Sequence, residues 1–128
     1  MLRDQMTQVT NLECLDLSWH PPLPIFSKGD AFLSLCTTLR WDYAPDALHY
    51  DVYCRGVTRD PNQSRDIKSA DVIFIGRAHA KAFRICHLLV PKVTEGQPGS
   101  LDLIVQPTMA AGFCAPLASA TKIKVTYS

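Results

Sequence analysis

The sequence predicts an all-β domain, a seven-stranded antiparallel sandwich of two sheets. Three observations carry this. Apolar residues recur with a period of two along most of the chain, the alternation of a strand with one buried face. Proline and glycine turns separate these runs. The 128 residues, 47% hydrophobic and 20% charged, make one globular core and are too few for a second. Sheets with one apolar face bury it against another sheet, which gives the sandwich.

Residues 1–11 read as an N-terminal segment and 12–128 as the sandwich. In the first strand Leu15, Leu17 and Trp19 alternate with Asp16 and Ser18 until His20-Pro21-Pro22 ends it. The second, 31–41, sets Leu33, Leu35, Leu39 and Trp41 on one face and Ser34, Cys36, Thr38 and Arg40 on the other. A turn with Pro45 inside occupies 42–46. Next, Leu48, Tyr50, Val52 and Cys54 alternate with His49, Asp51, Tyr53 and Arg55, and Gly56 closes the strand. Residues 57–69 are polar and charged, a long solvated loop. A short fourth strand, 72–75, stops at Gly76. The fifth, 83–90, is halted by Pro91; a helix over 78–89 is the alternative, disfavoured by the β-branched and aromatic residues. Leu101, Leu103 and Val105 form the sixth, which Pro107 terminates because a central strand needs its amide hydrogen. Ile123, Val125 and Tyr127 alternate with Lys122, Lys124 and Thr126 in the last.

Composition narrows the function. Thirteen Lys and Arg against twelve Asp and Glu leave a net charge of +1, without the basic excess of a nucleic-acid binder. No apolar run approaches the roughly 20 residues that span a bilayer. The first ten residues lack the apolar stretch of a secretory signal, so the expected location is cytoplasmic. Cys14, Cys36, Cys54, Cys86 and Cys114 form no CxxC pair and read as reduced, apolar thiols. A zinc site from Cys86, His87, His79 and Cys54 is the alternative; neither metal nor cofactor is expected. Catalysis finds little support. Cys86 and His87 are strand neighbours and point to opposite faces. The acids lie mostly in turns or on polar strand faces, not paired across a cleft.

Binding has three candidate sites. Arg77, His79 and Lys81 share one strand face as a basic patch. Residues 108–119 hold Met109, Phe113 and Leu117 without a single charge, unusual for a solvated loop. This stretch, with 21–26, is expected either to dock on a partner or to fold back over the open end of the sandwich. Trp19, Tyr43, Tyr53 and Phe113 offer aromatic rings for sugar stacking, or simply pack.

The strand sequence resembles a fibronectin type III or immunoglobulin-like domain. Leu39-Arg40-Trp41 stands where that family keeps its core tryptophan, and Tyr50-Asp51-Val52-Tyr53 is similar to its third strand. Phe83-Arg84-Ile85 with Leu88 matches the fifth, and Leu103-Ile104-Val105 the sixth. Leu101 replaces the corner tyrosine, so that hydroxyl-to-backbone link is missing. A narrower likeness covers the chain from about Val9 onward. Leu17-Ser18-Trp19-His20-Pro21, Cys36-Thr37-Thr38-Leu39-Arg40-Trp41, Phe74-Ile75-Gly76, Leu88-Leu89-Val90, Val105-Gln106-Pro107 and Gly112-Phe113 resemble, in order, the C-terminal tail of animal cytosolic endo-β-N-acetylglucosaminidases.

That resemblance implies a parent enzyme whose upstream (β/α)8 barrel cleaves the chitobiose core of N-glycans with an acid/base Glu and an Asn. None of those residues maps onto this chain. The implied role is a non-catalytic accessory module whose partner is the barrel in cis. A free-standing protein-interaction module with an unidentified partner, and a carbohydrate-binding module touching N-glycans, are the alternatives.

Overall fold

A computed structural model describes residues 8–20, 32–56, 71–91, 99–109 and 116–127. They form seven strands: β1 (Thr10–His20), β2 (Phe32–Asp42), β3 (Ala47–Arg55), β4 (Val72–Ala78), β5 (Ala82–Pro91), β6 (Gly99–Met109) and β7 (Thr121–Tyr127). Two sheets result, ordered β1-β2-β5 and β4-β3-β6-β7, with every neighbouring pair antiparallel. Among the described residues the one helical element is the 3-10 turn Leu117–Ser119. The expected sandwich is therefore the fold, and 78–89 is strand and connection rather than helix.

The inner faces supply the core. Leu35, Leu39, Trp41, Ile85 and Val90 from the three-stranded sheet meet Tyr50, Val52, Cys54, Leu103, Val105 and Val125 from the other. Two aromatic pairs bridge the sheets. Trp41 of β2 meets Tyr50 of β3 edge-on, with ring centroids 5.3 Å apart at 61°. Trp19 of β1 meets Tyr127 of β7 at 4.9 Å. Leu101 is buried core, and the link it lacks is supplied elsewhere: the Ala44 amide donates to the Tyr50 hydroxyl at 3.1 Å. That bond pins the β2–β3 turn to the strand it introduces.

Strict alternation fails at bulges, and each failure relocates a side chain. In β1 the register with β2 shifts between Leu15 and Ser18, and Asp16 takes φ 53°, a left-handed angle that Asp tolerates. Cys14 and Trp19 pack on the core, Leu15 stands opposite Thr38 and Leu17 is exposed, so Leu15, Leu17 and Trp19 do not share one inner face. In β3 the register with β6 shifts between Ala47 and His49, so Ala47 packs on the core and Leu48 turns outward. β4 does not stop at Gly76; a register shift between Val52 and Tyr53 carries it on to Ala78.

Pro107 does not end β6 either. The β7 ladder runs only from Gly99 to Val105 of β6, whereas β3 stays paired through Met109. Beyond Val105, β6 thus has one neighbour, the edge setting in which a strand tolerates proline. β1 opens at Thr10 and Val9 is buried in the core, so the 11/12 division falls inside the first strand. Residues 57–69, read as a long loop, lie outside the described residues, apart from the β3 end at Gly56 that precedes them.

Gly56 closes β3 with φ 107°, and a Cβ there would stand 2.8 Å from the Ser100 carbonyl oxygen and 2.9 Å from Leu101 Cα. Both obstacles are backbone, so Gly56→Ala should destabilise the fold by about 1–3 kcal/mol in urea unfolding. Tyr50→Phe should cost a similar amount, about 1–3 kcal/mol, because the Ala44 amide loses its acceptor. That substitution also has a pH signature. Burial, reinforced by Tyr43, raises the Tyr50 phenol above 10.0, and the Ala44 hydrogen bond only partly offsets this. Burial likewise raises Tyr127. The unfolded chain releases these protons first, so stability should fall as pH climbs past about 10, and fall less steeply in Tyr50→Phe.

Candidate functional site

The strand registers gather one end of the sandwich. Thr10 pairs with Asp42, Ala47 with Met109, Tyr50 with Ala78 and Val105 with Thr121. The start of β1, the β2–β3 turn, the β4–β5 connection, the end of β6 and the start of β7 therefore share a pole, through which the chain enters the sandwich. Cross-links tie it together. Thr121 Oγ1 donates to the Val9 carbonyl at 2.7 Å, and the Trp41 amide donates to the Lys81 carbonyl at 3.0 Å.

The β2–β3 turn presents apolar surface there. Tyr43 is 60% exposed and Leu48 57%, the two highest values among the exposed large apolar side chains described. A water-facing turn has no need of either, and both are held in place: Asp46 sits at φ 65°, and the Ala47 amide donates to the Ala44 carbonyl at 3.2 Å. Lys81 Nζ lies 5.4 Å from the Tyr43 ring centroid, a cation–π contact worth about 0.5–1 kcal/mol when exposed.

Beside the turn runs a groove of about 690 Å³ lined by Asn11, Glu13, Arg40, Trp41, Asp42 and Lys81. Its polar groups neutralise one another. Arg40 Nε donates to Glu13 Oε1 at 2.8 Å, with Nη2 on the same oxygen, and Asn11 Nδ2 donates to Asp42 Oδ2 at 2.6 Å. Two acids and two cations leave no net charge to attract an ion.

Of the residues singled out from sequence, Tyr43, His79, Lys81 and Met109 lie at this pole, and Trp19 lies away from it against Tyr127. Arg77 is in β4, but 79–81 make the connection to β5, so His79 and Lys81 do not share its strand face. Arg77 Nε donates to Asp51 Oδ1 at 2.8 Å, and this bond with the carboxylate's charge raises the guanidinium's already high pKa. His79 faces the His49 ring at 6.0 Å, and Lys81 faces Tyr43. In the 108–119 stretch, Thr108 and Met109 belong to β6, Met109 packs on the core, and Leu117 is half-buried. Phe113, like 21–26, lies outside the described residues. Leu48 was missed because only the bulge beside it turns it out.

The Cys14 thiol is raised above 9.0 by burial, which disfavours the thiolate. Among the described residues no three His, Cys, Asp or Glu side chains gather to hold a metal ion.

Comparison with known proteins gives the chain its place. Residues 2–128 match the family described as ENGASE1-like, C-terminal immunoglobulin-like domain. The human protein named cytosolic endo-beta-N-acetylglucosaminidase is 26% identical over 125 residues, which are 96% of this chain and 17% of that protein. The Danio rerio protein of that name is 31% identical over 105 residues, 79% of this chain and 14% of the relative. The mouse protein is 25% identical over 125 residues, again 96% and 17%. The chain thus spans less than a fifth of the length of these curated relatives. No solved structure gives a significant match. The likeness falls on the non-catalytic end of an endoglycosidase, and the sandwich carries no catalytic fold. The chain belongs to the family of ENGASE1-like C-terminal immunoglobulin-like domains.

Proposed function

We propose that this domain is the C-terminal accessory module of a cytosolic endo-β-N-acetylglucosaminidase and docks in cis on the catalytic part that precedes it. The observation that carries this is the position of Tyr43 and Leu48: the most exposed large apolar side chains described flank one rigid turn, at the pole where the chain enters. A domain attached through its N-terminus brings this pole nearest to whatever precedes it. Exposed aromatic and aliphatic residues on a fixed turn suit the centre of such a contact. The neutralised groove beside them suits a polar rim, which stays in contact with water and so leaves the paired charges solvated.

The substrate belongs to the parent: the relatives are named for endo-β-N-acetylglucosaminidase activity. Their name also says cytosolic, and the four described cysteines form no disulfide with one another, in keeping with a reducing compartment. The module's contribution is to steady the barrel or shape the approach to it.

Mixing this chain with a separately expressed upstream part of such an enzyme should give a complex and raise the barrel's unfolding temperature. Tyr43→Asp and Leu48→Asp should each weaken association by about tenfold or more. Both side chains are exposed, so the chain's own stability should change by no more than about 0.5 kcal/mol in Leu48→Asp and about 1 kcal/mol in Tyr43→Asp, which also loses the Lys81 contact. Absence of association, or variants that associate as well as the parent chain, would contradict the docking.

A further inference from the structure

The outward face of the four-stranded sheet carries a second site. An outward face normally holds solvated side chains, yet here Asp51 is 8% exposed and Gln106 7%. The two stand opposite each other in the β3–β6 register. Asp51 Oδ1 accepts from Arg77 Nε at 2.8 Å, and His49 Nε2 lies 3.9 Å from the same oxygen. The Tyr53 hydroxyl donates to Gln106 Oε1 at 3.4 Å. Directly beside this row, Phe74 of β4 pairs with Tyr53 in register, its ring edge-on at 5.7 Å and 43% exposed.

We propose that this face is a platform for an uncharged oligosaccharide, with Phe74 and Tyr53 as the stacking surface and Arg77, Asp51 and Gln106 as the polar row beside it. A sugar ring has an apolar C–H face and a rim of hydroxyl and acetamide groups. It needs an accessible aromatic face flanked by planar groups able to donate and accept at fixed positions. The Phe74 ring supplies the first. Half-exposed Arg77, oriented by a buried carboxylate, supplies fixed donors, and the Tyr53 hydroxyl, held by Gln106 Oε1, supplies a fixed oxygen beside the Phe74 ring. Charge decides the ligand class. Arg77 and Asp51 cancel within the row, and the nearest lysines of the face, Lys122 and Lys124, stand two strands away on β7, so the row itself is uncharged and keeps its directional hydrogen bonds. Holding the carboxylate and amide nearly dry fixes their geometry in advance, which lowers the ordering cost of binding.

This site is separate from the entry pole. Only the choice of an acetylated sugar as probe rests on the endoglycosidase reading. The experiment is an NMR titration of the full 128-residue chain with N,N′-diacetylchitobiose, up to about 10 mM, above the millimolar Kd that a few such contacts supply. Amide shifts should concentrate at Asp51, Tyr53, Phe74, Arg77 and Gln106. Phe74→Ala should weaken the response about tenfold with the spectrum otherwise unchanged. Tyr43→Ala, at the pole, should leave it intact. The proposal is overturned if the sugar moves no resonance, moves those elsewhere, or binds Phe74→Ala equally well. It is also overturned if only the upstream barrel moves these resonances, which would make the face a protein interface.

Discussion

The contact between Trp41 and Tyr50 fixes more of this structure than any other pair. Each ring belongs to a different sheet, both are fully buried, and their edge-on packing at 5.3 Å sets where β2 lies over β3. Because Tyr50 also accepts the Ala44 amide, the same residue determines the path of the turn joining the two strands. Truncating either ring to alanine would forfeit about 3–5 kcal/mol, a large share of the roughly 5–15 kcal/mol that holds a domain of this kind folded. The Trp19–Tyr127 pair closes the opposite seam, between β1 and β7.

The docking turn is a consequence of that packing. With Tyr50 turned inward and its hydroxyl on Ala44, the intervening residues run through Pro45 and Asp46 at φ 65° before rejoining the ladder. Tyr43 and Leu48, on either side, are left facing water. The sheet's outer row has a comparable origin. The register that sends Tyr50, Val52 and Cys54 into the core sends His49, Asp51 and Tyr53 outward, opposite Thr108, Gln106 and Ile104. One strand thus serves the core with one face and the proposed sugar platform with the other.

The period-two pattern made the seven strands and most of the inner faces legible, since Leu35, Leu39 and Trp41, like Leu101, Leu103 and Val105, lie at even spacings and reach the core. Illegible were the irregularities. A bulge inserts one residue and flips every side chain beyond it, so Leu17 and Leu48 read as core and are surface. Pro107 read as a terminator because its tolerance depends on β7 beginning only opposite Val105, a fact about a strand that starts later in the chain, at Thr121. The single strand face expected for Arg77, His79 and Lys81 failed for a similar reason: alternation cannot reveal that 79–81 turn a corner. Asp51 read as a solvated acid because its guanidinium partner is 26 residues away in sequence.

If the entry pole docks on the upstream part, it is a covered surface in the intact enzyme. Hydrogen exchange on a full-length endoglycosidase carrying this domain, compared with the 128-residue chain alone, tests this directly. Exchange should be slower at the amides of the β2–β3 turn, around Tyr43 to Leu48, only when the upstream part is attached. Equal exchange at those amides in both proteins would contradict it.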